Sequence, residues 1–116
     1  MALHHAKPGE VVDLRPIGRD LNTAQSTAIV KTSQFEAIRL IIPAGAEIPP
    51  HQVGGSITLH CLQGEVELGL AAAPVALKAN QWIYLDGGMP HSVKAVEDAS
   101  LLLTILLQPR TDPAER

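Results

Sequence analysis

The sequence predicts an all-β domain, an antiparallel barrel or sandwich with almost no helix. Three observations carry that expectation. Nine glycines and nine prolines in 116 residues punctuate the chain at short intervals. The segments between them are short and rich in Ile, Val, Leu and Thr, residues that fit a pleated, half-buried surface. The clearest of these segments alternate with period two, the repeat of a strand and not of a helix.

Strands are expected over 11–14, 27–32, 35–42, 57–63, 66–70, 75–78, 82–85, 92–96 and 101–107. Pro43-Ala44-Gly45, Gln63-Gly64 and Asp86-Gly87-Gly88 are the clearest turns. Over 57–61 the alternation is explicit: Ile57, Leu59 and Cys61 share one face, Thr58 and His60 the other. Beyond Gly64, Val66, Leu68 and Leu70 continue an inward apolar face, with Glu65 and Glu67 outward, so 57–63 and 66–70 read as a hairpin. In 82–85, Trp82 and Tyr84 alternate with Ile83 and Leu85. Both faces there are bulky, and one should pack on something beyond the barrel's own core. Helix competes over 19–42, which lacks Gly and Pro, and over the Leu-rich 92–107. Thr and Ser throughout the first, and a hairpin corner at Asp98 in the second, favour strands.

Composition narrows the partners. The formal charge is −3 and Lys and Arg are scattered, which excludes a phosphate-backbone partner. Aromatic residues are limited to Phe35, Trp82 and Tyr84, so aliphatic side chains must build the core. A single domain is expected over 1–116, ordered over about 10–108. The lone Cys61 allows no internal disulfide and suits a reducing compartment. Residues 1–9 lack the apolar core of a signal peptide, and the apolar run 101–107 is too short to span a bilayer. A cytoplasmic protein without a membrane partner is expected.

Residues 43–68 read PAGAEIPPHQVGGSITLHCLQGEVEL. This resembles the first motif of the cupin superfamily: a glycine, five residues, His-x-His, a later glutamate and a closing glycine. Gly45, His51 and Gly64 match. The second histidine position holds Val53, and the glutamate position falls on Ile57, or on Thr58 at the longer spacing. Residues 80–95, NQWIYLDGGMPHSVKA, resemble the second motif. There Gly88 and His91 match, while Asn80, Asp86 and Ala95 replace a glycine, a proline and an asparagine. The resemblance runs over about 34–107 and implies a double-stranded β-helix, a jelly-roll barrel of the RmlC-like kind.

The resemblance also implies a divalent transition metal (Zn, Ni, Fe or Cu) held inside the barrel by three histidines and a glutamate. By position, this chain keeps His51 and His91 and has Val53 and Ile57 for the other two. Two neutral imidazoles leave the cation's charge unneutralised, and stable sites supply three or four protein ligands. Any metal should then bind weakly, with water or ligand in its open positions. The other reading makes His51 and His91 polar residues at a pocket mouth, bonded to each other or to water. Gln52 is turned away from His51 by strand alternation. His60 is a weaker candidate ligand, because alternation sends it outward if Ile57 faces in. A subunit contact is its bland explanation. Nothing near Cys61 activates a thiolate, so it reads as a small buried apolar residue. Asp86 is explained by its turn, Glu65 and Glu67 by a solvated face, and His4 and His5 by a chain end.

The functional expectation is a small-molecule binding or sensing protein of unknown ligand, without strong catalysis. Its pocket is drawn from His51, His91, Val53, Ile57, Leu59 and Cys61. The alternative is a metal-dependent enzyme, dioxygenase- or isomerase-like, using His51 and His91. A purely structural role as a dimer module is the third possibility. A homodimer is expected, because strands 35–42 and 101–107 are apolar on both faces and a small barrel buries only one.

Overall fold

The computed structural model describes residues 5–51 and 53–107. His4, Gln52 and the polar tail from Gln108 onward lie outside the described residues. Nine strands are described: β1 (Thr27–Lys31), β2 (Phe35–Ile42), β3 (Glu47–His51), β4 (Ile57–Gln63), β5 (Glu65–Gly69), β6 (Pro74–Lys78), β7 (Trp82–Leu85), β8 (His91–Ala95) and β9 (Ala99–Leu106). They form two antiparallel sheets, ordered β1-β2-β9-β4-β7 and β3-β8-β5-β6. From β2 to β5 the chain changes sheet at every turn, and it does so again through β7, β8 and β9. This is the expected all-β, double-stranded β-helix.

Alternation then sorts every strand into a lumen face and an outer face. Inside the first sheet, Leu40, Leu101 and Cys61 form one row, Ile38, Leu103, Leu59 and Ile83 the next, and Glu36, Ile105, Ile57 and Leu85 a third. The opposing sheet contributes Val66, Leu68, Leu77, Val93 and Ala95, all buried. Together these close a single aliphatic core.

Four expectations need correction. The stretch 11–14 is not a strand: it runs without ladder partners, and Val11 is exposed. Gly18–Thr23 forms a short 3-10 helix that buries Leu21, the one place where the helical reading of 19–42 had substance. The sequence reading omitted β3 because Pro49 and Pro50 interrupt it. Proline is tolerated there because β3 is an edge strand and its pairing with β8 is irregular between Ile48 and His51. Finally, neither Gly64 nor Asp98 closes a hairpin. β4 and β5 lie in different sheets, as do β8 and β9, so both positions are corners between sheets.

The two corners are built against each other. Gly64 has φ 82°, and a Cβ there would strike the Asp98 carbonyl. Asp98 Oδ1 accepts the Ala44 N–H at 2.8 Å, which ties the turn after β2 to the corner before β9. Asn80, at the motif's first glycine position, has φ 71°. Asparagine is among the few side chains that tolerate this region, which explains how the rhythm survives the substitution.

Candidate functional site

Inside the barrel lies a cavity of about 180 Å³, lined by Leu40, Ile48, Ile57, Leu59, His91, Val93 and Leu103. Both sheets contribute, and each lining residue stands on the lumen face that alternation assigns it. Among the described residues, His91 is the only polar side chain in this wall, and it is 4% exposed. Its Nδ1 lies 3.0 Å from the Met89 carbonyl. A carbonyl only accepts, so Nδ1 is the donor in this contact.

The turns that present the motif histidines are locked together. Gly88 N–H donates to the Val53 carbonyl at 2.7 Å. A Cβ on Gly87 would collide with the Gly54 carbonyl, and one on Gly55 with the Leu106 carbonyl. The 53–55 loop is therefore clamped between the 86–89 turn and the end of β9. His51 and His91 are cross-strand partners in the β3–β8 ladder, so the backbone sets them side by side. The His51 side chain lies outside what is described.

Of the residues expected to form the pocket, Ile57, Leu59 and His91 meet in one wall. Val53 packs half-buried against the core and lines a separate open groove of about 360 Å³ with Glu36, Gly54, Gly55, Ile105, Leu106 and Leu107. Cys61 is fully buried one row deeper, away from the cavity lining. Its Sγ lies 3.5 Å from the Gln63 and Gly64 carbonyls. Burial pushes its thiol above the ordinary cysteine value, the reverse of activation. His60 is half-buried on the outer face, opposite Leu102 and Trp82. Thr58 is also outward, so Ile57 is the inward-facing residue at the motif's glutamate position. The sequence reading missed Leu40, Ile48, Val93 and Leu103 as wall residues. Leu40 and Leu103 share inward parity with Ile42 and Leu101, a signal present but not followed into the lumen.

The donor set does not fit a resident metal of the implied kind. Position 57 presents a buried isoleucine and position 53 a valine packed on the core. Among the described residues, no group of three or more His, Cys, Asp or Glu is placed to hold an ion. Tyr84 donates its hydroxyl to the Asp86 carboxylate, and this bond holds the phenol above its usual pKa. That pair lies at the outer surface, away from the cavity.

Comparison with known proteins follows the same lines. The family model described as "Cupin domain" matches residues 38–106. Among curated proteins, none is significantly similar in sequence. A crystal structure of a conserved protein of unknown function from Streptococcus pyogenes superposes with TM-score 0.72 at 22% identity, over 96% of this chain and 97% of that one. A cupin superfamily protein from Desulfitobacterium hafniense gives 0.72 at 13% identity, over 84% and 95%. An RmlC-like cupin with a double-stranded β-helix fold from Methanocaldococcus jannaschii gives 0.69 at 18%, over 84% and 93%. At these identities the shared property is the fold.

Proposed function

The chain belongs to the cupin domain family, and from that premise we propose that it is a small-molecule binding or sensing protein, without strong catalysis, that takes a mainly apolar ligand inside its barrel. The cavity of about 180 Å³, with one polar side chain among its described wall residues, is the observation that carries this reading. Apolar walls supply affinity, and one placed polar group fixes orientation. An apolar void of ~150 Å³ admits a benzene-sized molecule, which sets the scale of the ligand. His91 supplies the one polar group of the described wall through which a bound molecule could be oriented. The buried Cys61 thiol is held above its ordinary pKa, and among the described residues no nucleophile–base pair lines the cavity, which favours binding over covalent chemistry.

The test is an NMR titration with benzene and phenol. Phenol should bind roughly tenfold tighter through one added hydrogen bond, and His91→Ala should remove that preference. Failure of both probes at millimolar concentration, or equal binding in parent and variant, would count against the reading.

A metal-dependent, dioxygenase- or isomerase-like role has two observations in its favour. His51 and His91 are ladder neighbours, and a backbone carbonyl holds Nδ1 of His91, as it commonly does for ligating imidazoles. Elemental analysis of untagged protein decides this. A full equivalent of tightly held metal, lost in His51→Ala or His91→Ala, would establish it over the metal-poor reading. No helix among the described residues is long and apolar enough to cross a membrane. A cytoplasmic location fits the single reduced cysteine and completes the proposal.

A further inference from the structure

Alternation leaves one charged residue on the lumen side. Of the residues on β2, β9, β4 and β7 that register turns toward the lumen, all are uncharged except Glu36. It opens the row that continues through Ile105, Ile57 and Leu85, at the end of the barrel where β2 begins and β9 stops. A carboxylate beside an aliphatic wall is costly unless a partner neutralises it. Glu36 is half-buried, and among the described residues it forms no hydrogen bond or ion pair.

The space in front of Glu36 is the open groove of about 360 Å³. Val53 and Ile105, both half-buried and packed on the core, form one part of its wall, and Leu106 and Leu107 another. Gly54 and Gly55 complete it without side chains. Backbone bonds fix this frame. Leu106 N–H donates to the Ser56 carbonyl and Leu107 N–H to the Gln34 carbonyl, each at 2.9 Å, and Gly88 N–H holds the Val53 carbonyl at 2.7 Å. The groove is distinct from the internal cavity, with which it shares no lining residue. The two are neighbours across one ladder pair, Ile105 on the groove side and Ile57 on the cavity side.

We propose that this groove is a second binding site, for an aliphatic primary ammonium, with Glu36 as its anchor and Val53, Ile105, Leu106 and Leu107 as the wall for the carbon chain. Charge and donor count select the ligand. The described lining holds one carboxylate and no cation, so an anion is repelled and a neutral molecule leaves the carboxylate unpaired. A bare metal ion needs more ligands, and no group of three His, Cys, Asp or Glu stands together among the described residues. An ammonium brings one positive charge, three N–H donors and a chain that the wall can cover. Lys31, the cross-strand neighbour of Glu36 on the edge strand β1, is exposed and is not part of the lining. An ion pair with an exposed lysine contributes little, so Lys31 competes weakly with a cation held against the wall. An apolar void of ~150 Å³ takes a benzene-sized molecule, so a groove of this volume takes a chain of about six carbons with its ammonium.

The experiment is an NMR titration of the full chain with n-hexylammonium, set against n-hexanol as the neutral analogue. Hexylammonium should bind roughly tenfold tighter, through one charge-assisted hydrogen bond, and should shift the amide signals of Gly54, Gly55, Leu106 and Leu107. Glu36→Gln keeps the side-chain shape and should abolish that preference while retaining the far-UV circular dichroism of the parent. Leu107→Ala should weaken both probes alike. Lys31→Gln, which removes the competing cation, should bind hexylammonium at least as tightly as the parent. Benzene, the probe of the internal cavity, should bind Glu36→Gln as it binds the parent, which keeps the two sites distinguishable. Absence of hexylammonium binding at millimolar concentration, equal affinity for the two probes, a preference that survives Glu36→Gln, weaker binding in Lys31→Gln, or shifts confined to the cavity residues Leu40, Val93 and Leu103 would overturn the proposal.

Discussion

Leu59→Ala and Leu101→Ala form a matched pair that tests whether the lumen is open in solution. Both leucines are fully buried and sit on neighbouring strands in adjacent lumen rows. Leu59 borders the cavity of about 180 Å³ and Leu101 does not. Truncation removes three carbons, about 2.4 kcal/mol at ~0.8 kcal/mol per buried carbon. At Leu101 the removed side chain also leaves a new closed void, which brings the total to about 3–5 kcal/mol. At Leu59 one side of the side chain already faces empty space, so fewer contacts are lost and the cost should stay near 2–3 kcal/mol. Urea unfolding followed by far-UV circular dichroism measures both values. The same Leu59→Ala variant should gain affinity for a larger apolar probe such as indole. A Leu59→Ala cost equal to or above that of Leu101→Ala, with no gain for the larger probe, would mean the cavity is closed by packing and would remove the basis for an internal ligand.

Three further outcomes follow from the geometry. Gly64→Ala should cost well over 1 kcal/mol, since it adds a left-handed φ penalty to a collision with the Asp98 carbonyl, whereas Asn80→Gly should stay within about 1 kcal/mol of the parent; melting curves of the two separate conformational from steric demand. Cys61 should resist iodoacetamide at neutral pH until the protein unfolds, as read by mass spectrometry. Because its folded pKa is raised, its contribution to stability is whole at neutral pH and declines only as the pH rises above the unfolded thiol's value, so urea midpoints at pH 7 and pH 10 should differ in that direction. Ile57→Glu should destabilise the apoprotein by about 2–4 kcal/mol, the cost of an unpaired buried carboxyl group, and added Zn²⁺ should not restore the parent midpoint while position 53 remains valine.

What the sequence disclosed and what it hid have physical causes. Strands β2, β4 and β7 are legible to the residue because each is a run rich in β-branched, aliphatic or aromatic residues, with strict alternation in β4. β3 was hidden because two prolines signal a break wherever ladder bonds are needed, and only the sheet order shows that this strand stands at an edge. Gly64 and Asp98 were legible as turns but not as corners. A turn residue reports that the chain reverses or bends, not whether the next strand stays in the same sheet. The lumen face of 57–61 was read correctly from parity, yet Cys61 was carried into the pocket with Leu59. Period two gives the side of a strand but not the depth along the barrel axis at which a void occurs. Leu40 and Leu103 were missed for the same reason: long-range register between β2, β9 and β4 decides which inward residues share a level.

Register also shows how the residues at positions 53 and 57 bear on the proposed apolar ligand. The third lumen row holds Glu36, Ile105, Ile57 and Leu85. A glutamate at position 57 would stand between Ile105 and Leu85, with no neighbour in its row to neutralise it, and only a bound cation would make its burial tolerable. An isoleucine there joins Ile105 and Leu85 in a continuous aliphatic row that closes one side of the void. The substitution thus removes an anionic ligand and completes an apolar wall. Val53 acts in the same direction, packing on the core from the clamped loop. His91 keeps its place because its Nδ1–H is satisfied by Met89, so burial of the ring needs no metal to hold it. Under the proposed reading, aliphatic wall at the motif's histidine and glutamate positions with one imidazole retained suits a neutral molecule more than a cation.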